Sequence, residues 1–181
     1  MELLVSITLF SFIILSSTQI FKMVIDGQRS SISAQNVQEN MRYAMEKMSK
    51  EIRMAGISNH DCEDMFSAPK PTAIFKVFNT TDDSSKLYFK NQYGYCVVYY
   101  LSVDNRLKIM IDSATGVVDG FITPINVEIS NLKFYIDDDL ISAFSSKQPY
   151  VTMAMDVKAV GQAIHEQKMK LQITVSSRYY E

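Results

Sequence analysis

The chain has 181 residues, 18 of them basic and 20 acidic, which gives a formal net charge of −2. This length allows one domain of ordinary size, about 100 to 150 residues, and one additional segment. Lysine and arginine are not concentrated in any one segment, which argues against nucleic acid bound by a basic patch.

The N-terminus carries the most informative segment. Residues 3–21 contain no charged residue and follow a single carboxylate, Glu2. A helix of about 19 such residues can cross the hydrocarbon core of a bilayer. No Ala-x-Ala site follows, so we interpret the segment as a retained span and not as a cleaved signal peptide. The apolar residues that we assign to this membrane helix are Leu3, Leu4, Val5, Ile7, Leu9, Phe10, Phe12, Ile13, Ile14, Leu15, Ile20 and Phe21.

The same helix is predicted to continue well beyond the span. No proline occurs in residues 3–55, and Gly27 is the only glycine before Gly56, which we predict as the C-cap. Such a helix is about 80 Å long at 1.5 Å per residue. Small and polar residues around Gly27 are typical of the emergence from a membrane, and we expect a bend or a local loosening there.

The distal half of the helix has an amphipathic pattern. Apolar residues recur at spacings of three and four, and charged residues occupy most of the other positions. The pattern predicts one buried face, whose methionines we assign to packing and not to a ligand groove. The residues predicted to pack on a sheet are Val37, Met41, Met45, Met48 and Ile52, with Ala55 as a further member of the stripe.

After a predicted loop at 58–71, the apolar period changes from that of a helix to two, which is typical of strands. Strands are predicted at 73–79, 87–90, 95–103, 107–111, 127–136, 151–159 and 168–176. Asp104 and Asn105 are a plausible hairpin turn. At Ser130 and Asn131 the alternation slips by one residue, which indicates either a bulge or a break between two strands.

These elements predict an α+β fold in which the amphipathic half of the long helix covers an antiparallel sheet. The clearest strands are apolar on one side only, as in a sheet with one solvated face. The helix is the only long amphipathic element available to cover the other face. We divide the chain into a membrane half of the helix at 1–25, an amphipathic half at 26–56 and an extracytoplasmic head at 57–181.

Cys62 and Cys96 are the only cysteines, and an even number in an exported domain permits a disulfide. The bond would close a loop of roughly 34 residues, for which chain entropy predicts about 3 to 4 kcal/mol of stabilisation. The alternative is two unpaired thiols, with Cys96 buried. We predict no catalytic, cofactor-binding or metal-binding residues, since no nucleophile motif, phosphate loop or metal spacing is found.

Several motifs resemble the type IV pilin superfamily, which includes the pseudopilins of type II secretion. The sequence ELLVSI at 2–7 is similar to the end of the prepilin signature. The stretches VQENMRYAME at 37–46 and EIRMAG at 51–56 resemble the post-membrane helix of PilW-type minor pilins and J-type minor pseudopilins. Residues 131–135, 148–152 and 171–178 are similar to the C-terminal strands of the same subgroup.

The resemblance implies a non-enzymatic subunit of the cytoplasmic membrane, with its C-terminal domain outside the cytoplasm. The subunit would then assemble into a type IV pilus or a type II secretion pseudopilus at the cell surface, where it would initiate or cap the filament. Its partners would be other pilin or pseudopilin subunits and the assembly platform, with membrane lipid around the helix before assembly. The apolar helix would then form part of the filament core.

Within that family, the glutamate at the head of the helix is thought to pair with the N-terminal amine of a neighbouring subunit. The resemblance therefore implies that Glu2 sets the axial register during assembly. The sequence lacks a basic leader, a glycine before a cleavage site and the phenylalanine that follows it. We expect that the reading frame begins upstream or that Met1 is an internal methionine. The competing hypothesis is a single-pass anchored domain that binds a ligand or a surface outside any filament.

Overall fold

The computed structural model describes residues 1–56, 75–79, 85–113, 115–137, 148–161 and 166–178. The elements are α1 (Glu2–Arg53), β1 (Phe75–Asn79), β2 (Ser85–Lys90), β3 (Cys96–Leu101), β4 (Leu107–Ser113), β5 (Gly116–Phe121), β6 (Val127–Asp137), β7 (Tyr150–Ala159) and β8 (Lys168–Ser176). The predicted α+β class, with one long helix packed on antiparallel strands, is confirmed. The predicted loop at 58–71, which includes Cys62, lies outside the described residues.

Helix α1 runs without interruption through Gly27, so the expected loosening there is absent. The predicted C-cap at Gly56 is wrong, because α1 ends at Arg53 and Met54 is the capping residue, with φ −99° and ψ 11°. Gly56 instead forms an isolated antiparallel bridge with Lys90, to whose carbonyl oxygen its N–H donates at 2.9 Å. The Gly56 N–H is therefore bonded to the sheet, whereas in a helix C-cap it would have donated to a carbonyl of the last helical turn.

Strands β1 to β5 form a five-stranded antiparallel sheet in sequence order. The predicted turn between β3 and β4 is confirmed, since Asn105 has φ 55° and donates its backbone N–H to the Ser102 carbonyl at 2.9 Å. Strand β5 was not predicted. Its adjacent Val117 and Val118 are both exposed at the edge of the sheet, so the strand has no apolar alternation to detect.

Strands β6, β7 and β8 form a second, three-stranded antiparallel sheet. The bulge, one of two predicted alternatives, is confirmed by a register shift between Ser130 and Lys133 within a continuous β6. Asn131 has φ 52° there, a left-handed conformation that asparagine adopts more readily than most residues, and its amide donates to Asp156 Oδ2 at 2.8 Å.

One hydrophobic core joins the helix to both sheets, whereas the sequence predicted a single sheet. The buried set includes α1 residues beyond position 36, the inward residues of β2 to β4, and alternate residues of β6 and β7. The sheets also meet through Ser85, whose hydroxyl accepts the Phe134 N–H at 2.9 Å and donates to the Leu132 carbonyl at 3.3 Å. The two sheets thus share the apolar stripe of one helix.

The helix stripe differs from the prediction at one position. Val37, Met41, Met48 and Ile52 are buried in the core together with Ala55. Met45 is only half-buried, and the fully buried residue at this level is Ala44. The small side chain of Ala44 allows close approach of the helix backbone to the sheet, and Met45, about 100° further around the helix than Ala44, lies at the margin of the buried stripe.

Candidate assembly site

The first half of α1 is a surface that the described part of the head does not cover. All residues from 1 to 25 are exposed, including the twelve apolar residues predicted for the membrane helix. Among the described residues, α1 is the one helix long and apolar enough to cross a membrane. Val37 is the first helix residue that is buried in the core. At 1.5 Å per residue, the exposed part projects about 35 Å.

Glu2 is the first residue of α1 and the only acidic residue of its first turn. Met1 precedes it as N-cap and makes no side-chain capping hydrogen bond, so backbone N–H groups remain at this helix end. The partial positive charge of a helix N-terminus favours a carboxylate at this position. The structure therefore places one anion at the tip of an apolar rod.

Hydroxyl residues in the exposed half are bonded within the helix. Ser6, Ser11, Ser16 and Thr18 each donate to the carbonyl oxygen four residues earlier, and Thr8 donates to one three residues earlier, at 2.6 to 2.9 Å. Hydroxyls satisfied in this way can lie in lipid without a further partner. Their small size also leaves a shallow depression on the helix, lined by Leu9, Phe12, Ile13, Ser16, Ser17, Ile20 and Phe21.

The head holds the second half of α1 through polar contacts as well as through the core. Gln167 donates its amide to Ser30 Oγ at 2.7 Å near the start of the contact, and the Arg178 backbone N–H donates to the Arg53 carbonyl at 2.8 Å near its end. The rod and head are therefore joined along most of the distal half of the helix.

Between these ends, the buried Tyr99 donates its hydroxyl to Glu51 Oε2 at 2.6 Å. Burial raises the pKa of Tyr99 far above the ordinary tyrosine value, and the adjacent Glu51 carboxylate raises it further. The tyrosine therefore stays a neutral donor, which ties α1 to the five-stranded sheet.

Cys96 lies buried at the start of β3 and is disulfide-bonded. Cys62, the other cysteine of the chain, lies outside the described residues, so the pairing of the two stays a prediction. Among the described residues, no group of three or more His, Cys, Asp or Glu side chains could hold a metal ion.

Comparison of the chain with protein-family models, with curated proteins and with solved structures finds no match. The candidate site is therefore inferred from the sequence and structure of this chain alone. Sequence reasoning missed one feature, a groove between α1 and β8 that Met45 and Ser49 help to line. The sequence carried no signal for it, because Met45 follows Met41 by four positions and precedes Met48 by three, as a member of the packing stripe would.

Proposed function

We propose that the protein is a minor pilin or pseudopilin, a non-enzymatic subunit that resides in the cytoplasmic membrane and then enters a filament. The observation that carries the proposal is the complete exposure of residues 1–25 on a helix whose continuation is buried under the head. The resemblance of the motifs at 2–7, 37–46 and 51–56 to that family supports the same assignment.

The exposed apolar surface requires an apolar partner. Burial of a large apolar side chain contributes about 1.5 to 3 kcal/mol, so a dozen of them contribute on the order of 20 kcal/mol. Lipid supplies this environment to a single subunit, and neighbouring helices supply it in a filament. A helix that projects from its head suits both, since nothing in the described part of the head blocks it.

Glu2 gives the assembly its register in this proposal. Transfer of a charged residue to the centre of a membrane costs about 2.5 to 3.5 kcal/mol on insertion scales. A positively charged amine of a neighbouring subunit offsets this cost at one axial position only. The alternative, a single-pass anchored binding domain, uses the same apolar rod but has no such requirement at residue 2.

The test is the incorporation of the full chain into filaments in the cells that produce it. Filaments are sheared off and the protein is quantified in the filament and membrane fractions. We expect Glu2→Ala to lower the filament fraction roughly tenfold while the membrane fraction persists, since tenfold corresponds to about 1.4 kcal/mol. Glu39→Ala removes a carboxylate from the exposed face of the distal helix and is the matched control.

Equal incorporation of the Glu2→Ala variant and the wild type would remove the register role. Absence of the wild-type protein from intact filaments would instead favour the anchored binding domain. The two results are distinguishable. Equal incorporation of the variant requires that both proteins are found in the filament fraction, whereas the anchored binding domain requires that the wild type is absent from it.

A further inference from the structure

An open groove of about 670 Å³ lies between the distal half of α1 and strand β8. Its apolar lining comes mainly from the helix and from three alternate residues of the strand: Met41, Met45, Met169, Leu171 and Ile173. Residues of β8 line the groove but residues of β7 do not. The groove therefore lies on the β8 side of the three-stranded sheet, and Gln92, in the turn between β2 and β3, also lines it.

Strand β8 presents an unpaired backbone edge beside this groove. Within the described residues it pairs with β7 alone, in an unbroken register from Lys168 to Ser176. It has no proline and no bulge, and its only edge-blocking charges are Lys168 and Lys170, both at its N-terminal end. A further strand would lie about 4.8 Å beyond β8, beneath the side of α1 that carries Met45.

Ser49 supplies an independent sign that the groove takes a ligand. Its residue is only 8% exposed, it lines the groove, and its Oγ has no hydrogen-bond partner among the described residues. Other hydroxyls of α1 donate to the carbonyl four residues earlier, as Ser31 does to Gly27. A buried hydroxyl without a partner is unusual in a folded protein and is satisfied when an occupant brings a polar atom.

The rim of the groove is cationic. Lys50, Arg53 and Arg178 line it with exposed side chains, and none of the three has an acidic partner in the part of the chain that the structure describes. Arg42 is paired with Glu46 at 2.8 Å and does not add to the excess. An occupant with carboxylates is therefore complementary to this end of the groove.

We propose that this site binds an extended segment of another polypeptide, which adds to β8 as a fourth strand. Alternate apolar side chains of the segment fill the groove, and carboxylates on the same face, toward one end of the segment, meet Lys50, Arg53 and Arg178. A long-chain carboxylate could fill the groove but would leave the N–H and C=O groups of the β8 edge facing solvent. Only a strand satisfies the edge and the groove together. The proposal does not depend on filament assembly.

The test uses the full chain in phosphatidylcholine nanodiscs and a fluorescent nonapeptide with valine at positions 1, 3 and 5, glutamate at positions 7 and 9, and threonine between them, so that valine and glutamate share one face of the strand. We expect it to bind roughly tenfold more tightly than a peptide of the same composition with each residue type in one block. A peptide with lysine in place of glutamate should bind as weakly as the block peptide. Hydrogen exchange of the amides at 168–176 should slow in the complex.

Two variants connect the binding to the groove. Leu171→Glu places a charge on the groove side of β8 and should abolish binding, whereas Gln172→Glu places the same side chain on the opposite face and should leave it within about twofold. Ser49→Ala keeps the core intact and should weaken binding several-fold, since the occupant loses one hydrogen bond.

Three results would overturn the proposal. Equal binding of the alternating acidic and block peptides excludes recognition of an extended strand. Unchanged exchange at 168–176 excludes the β8 edge. Displacement of the peptide by laurate without any protection of that edge shows an amphiphile site instead. If Leu171→Glu does not fold, the Ser49→Ala variant provides the test instead. Peptide binding by that variant as tight as by the wild type would overturn the proposal.

Discussion

The hydrogen bond between Tyr99 and Glu51 is the most direct test of how the helix is held by the five-stranded sheet. Tyr99 is fully buried, and its hydroxyl donates to Glu51 Oε2 at 2.6 Å. Tyr99→Phe removes this donor and keeps the ring, which stacks on Phe89 with centroids 5.9 Å apart. The variant therefore isolates the hydrogen bond from the packing of the ring.

The expected loss follows from the charge of the acceptor. Hydrogen bonds to ionised groups contribute about 1.5 to 3 kcal/mol to stability, roughly twice the value for neutral pairs. Because Glu51 is half-buried, water can reach the carboxylate once its partner is removed. We therefore expect Tyr99→Phe to lower the free energy of unfolding by about 2 kcal/mol.

The assay is urea unfolding of the head in the full chain, held in nanodiscs and followed by near-ultraviolet circular dichroism. Tyr93→Phe is the control, since Tyr93 is 72% exposed and its loss of a hydroxyl should change stability by less than about 0.5 kcal/mol. A loss below about 0.5 kcal/mol for Tyr99→Phe would refute the reasoning. So would additive effects of Tyr99→Phe and Glu51→Gln, since partners in one bond are coupled.

The pH dependence of the same pair has a defined sign. The folded-state pKa of Tyr99 is raised above the ordinary value by burial and by Glu51. Its contribution is therefore fully present below the pKa of an unfolded tyrosine, about 10, and is lost as pH rises above that value. The stability difference between wild type and Tyr99→Phe should narrow above about pH 10. A constant difference would contradict the assignment.

Two further pairs of substitutions test the core and the bulge by the same unfolding assay. Met48→Ala should lower the free energy of unfolding by about 2 to 5 kcal/mol, because Met48 is fully buried. Met45→Ala, at a half-buried position, should lower it by less than about 1 kcal/mol. Similar losses for the two variants would contradict the placement of the stripe. Asn131→Ala should cost about 1 to 2 kcal/mol at φ 52°, and Asn131→Gly should cost less because glycine adopts this conformation freely; the reverse order would exclude a left-handed residue at the bulge.

The strong periodic signals of the sequence predicted most of the fold. Strands β7 and β8 alternate over their whole length, and α1 contains no proline and one glycine, Gly27, so propensity and packing largely agree there. The helix end could not be placed from the sequence. The N–H of Gly56 pairs with Lys90, a residue 34 positions away, and local capping rules do not include such a competitor.

Other features depend on tertiary context for a similar reason. Strand β5 is held by pairing with β4 at an exposed edge, and its glycines and adjacent valines have no period. The division into two sheets depends on contacts between β2 and β6, which the hydroxyl of Ser85 joins. The apolar rod and its acidic tip were readable because they are continuous in sequence, whereas the groove is assembled from α1, β8 and the residues after it.

Met45 shows why such a groove is hard to recognise in a sequence. The buried stripe of α1 passes through Met41, Ala44 and Met48, whose spacings of three and four keep them on one face. Met45 is about 100° around the helix from Ala44 but only about 40° from Met41, so it lies at the margin of that face and reaches the groove beside it. The same side chain therefore belongs to the predicted stripe and lines a second apolar contact. Ser49 lies one helical turn later on the same side of α1. Its hydroxyl, which has no hydrogen-bond partner among the described residues, adds a polar group to this apolar contact.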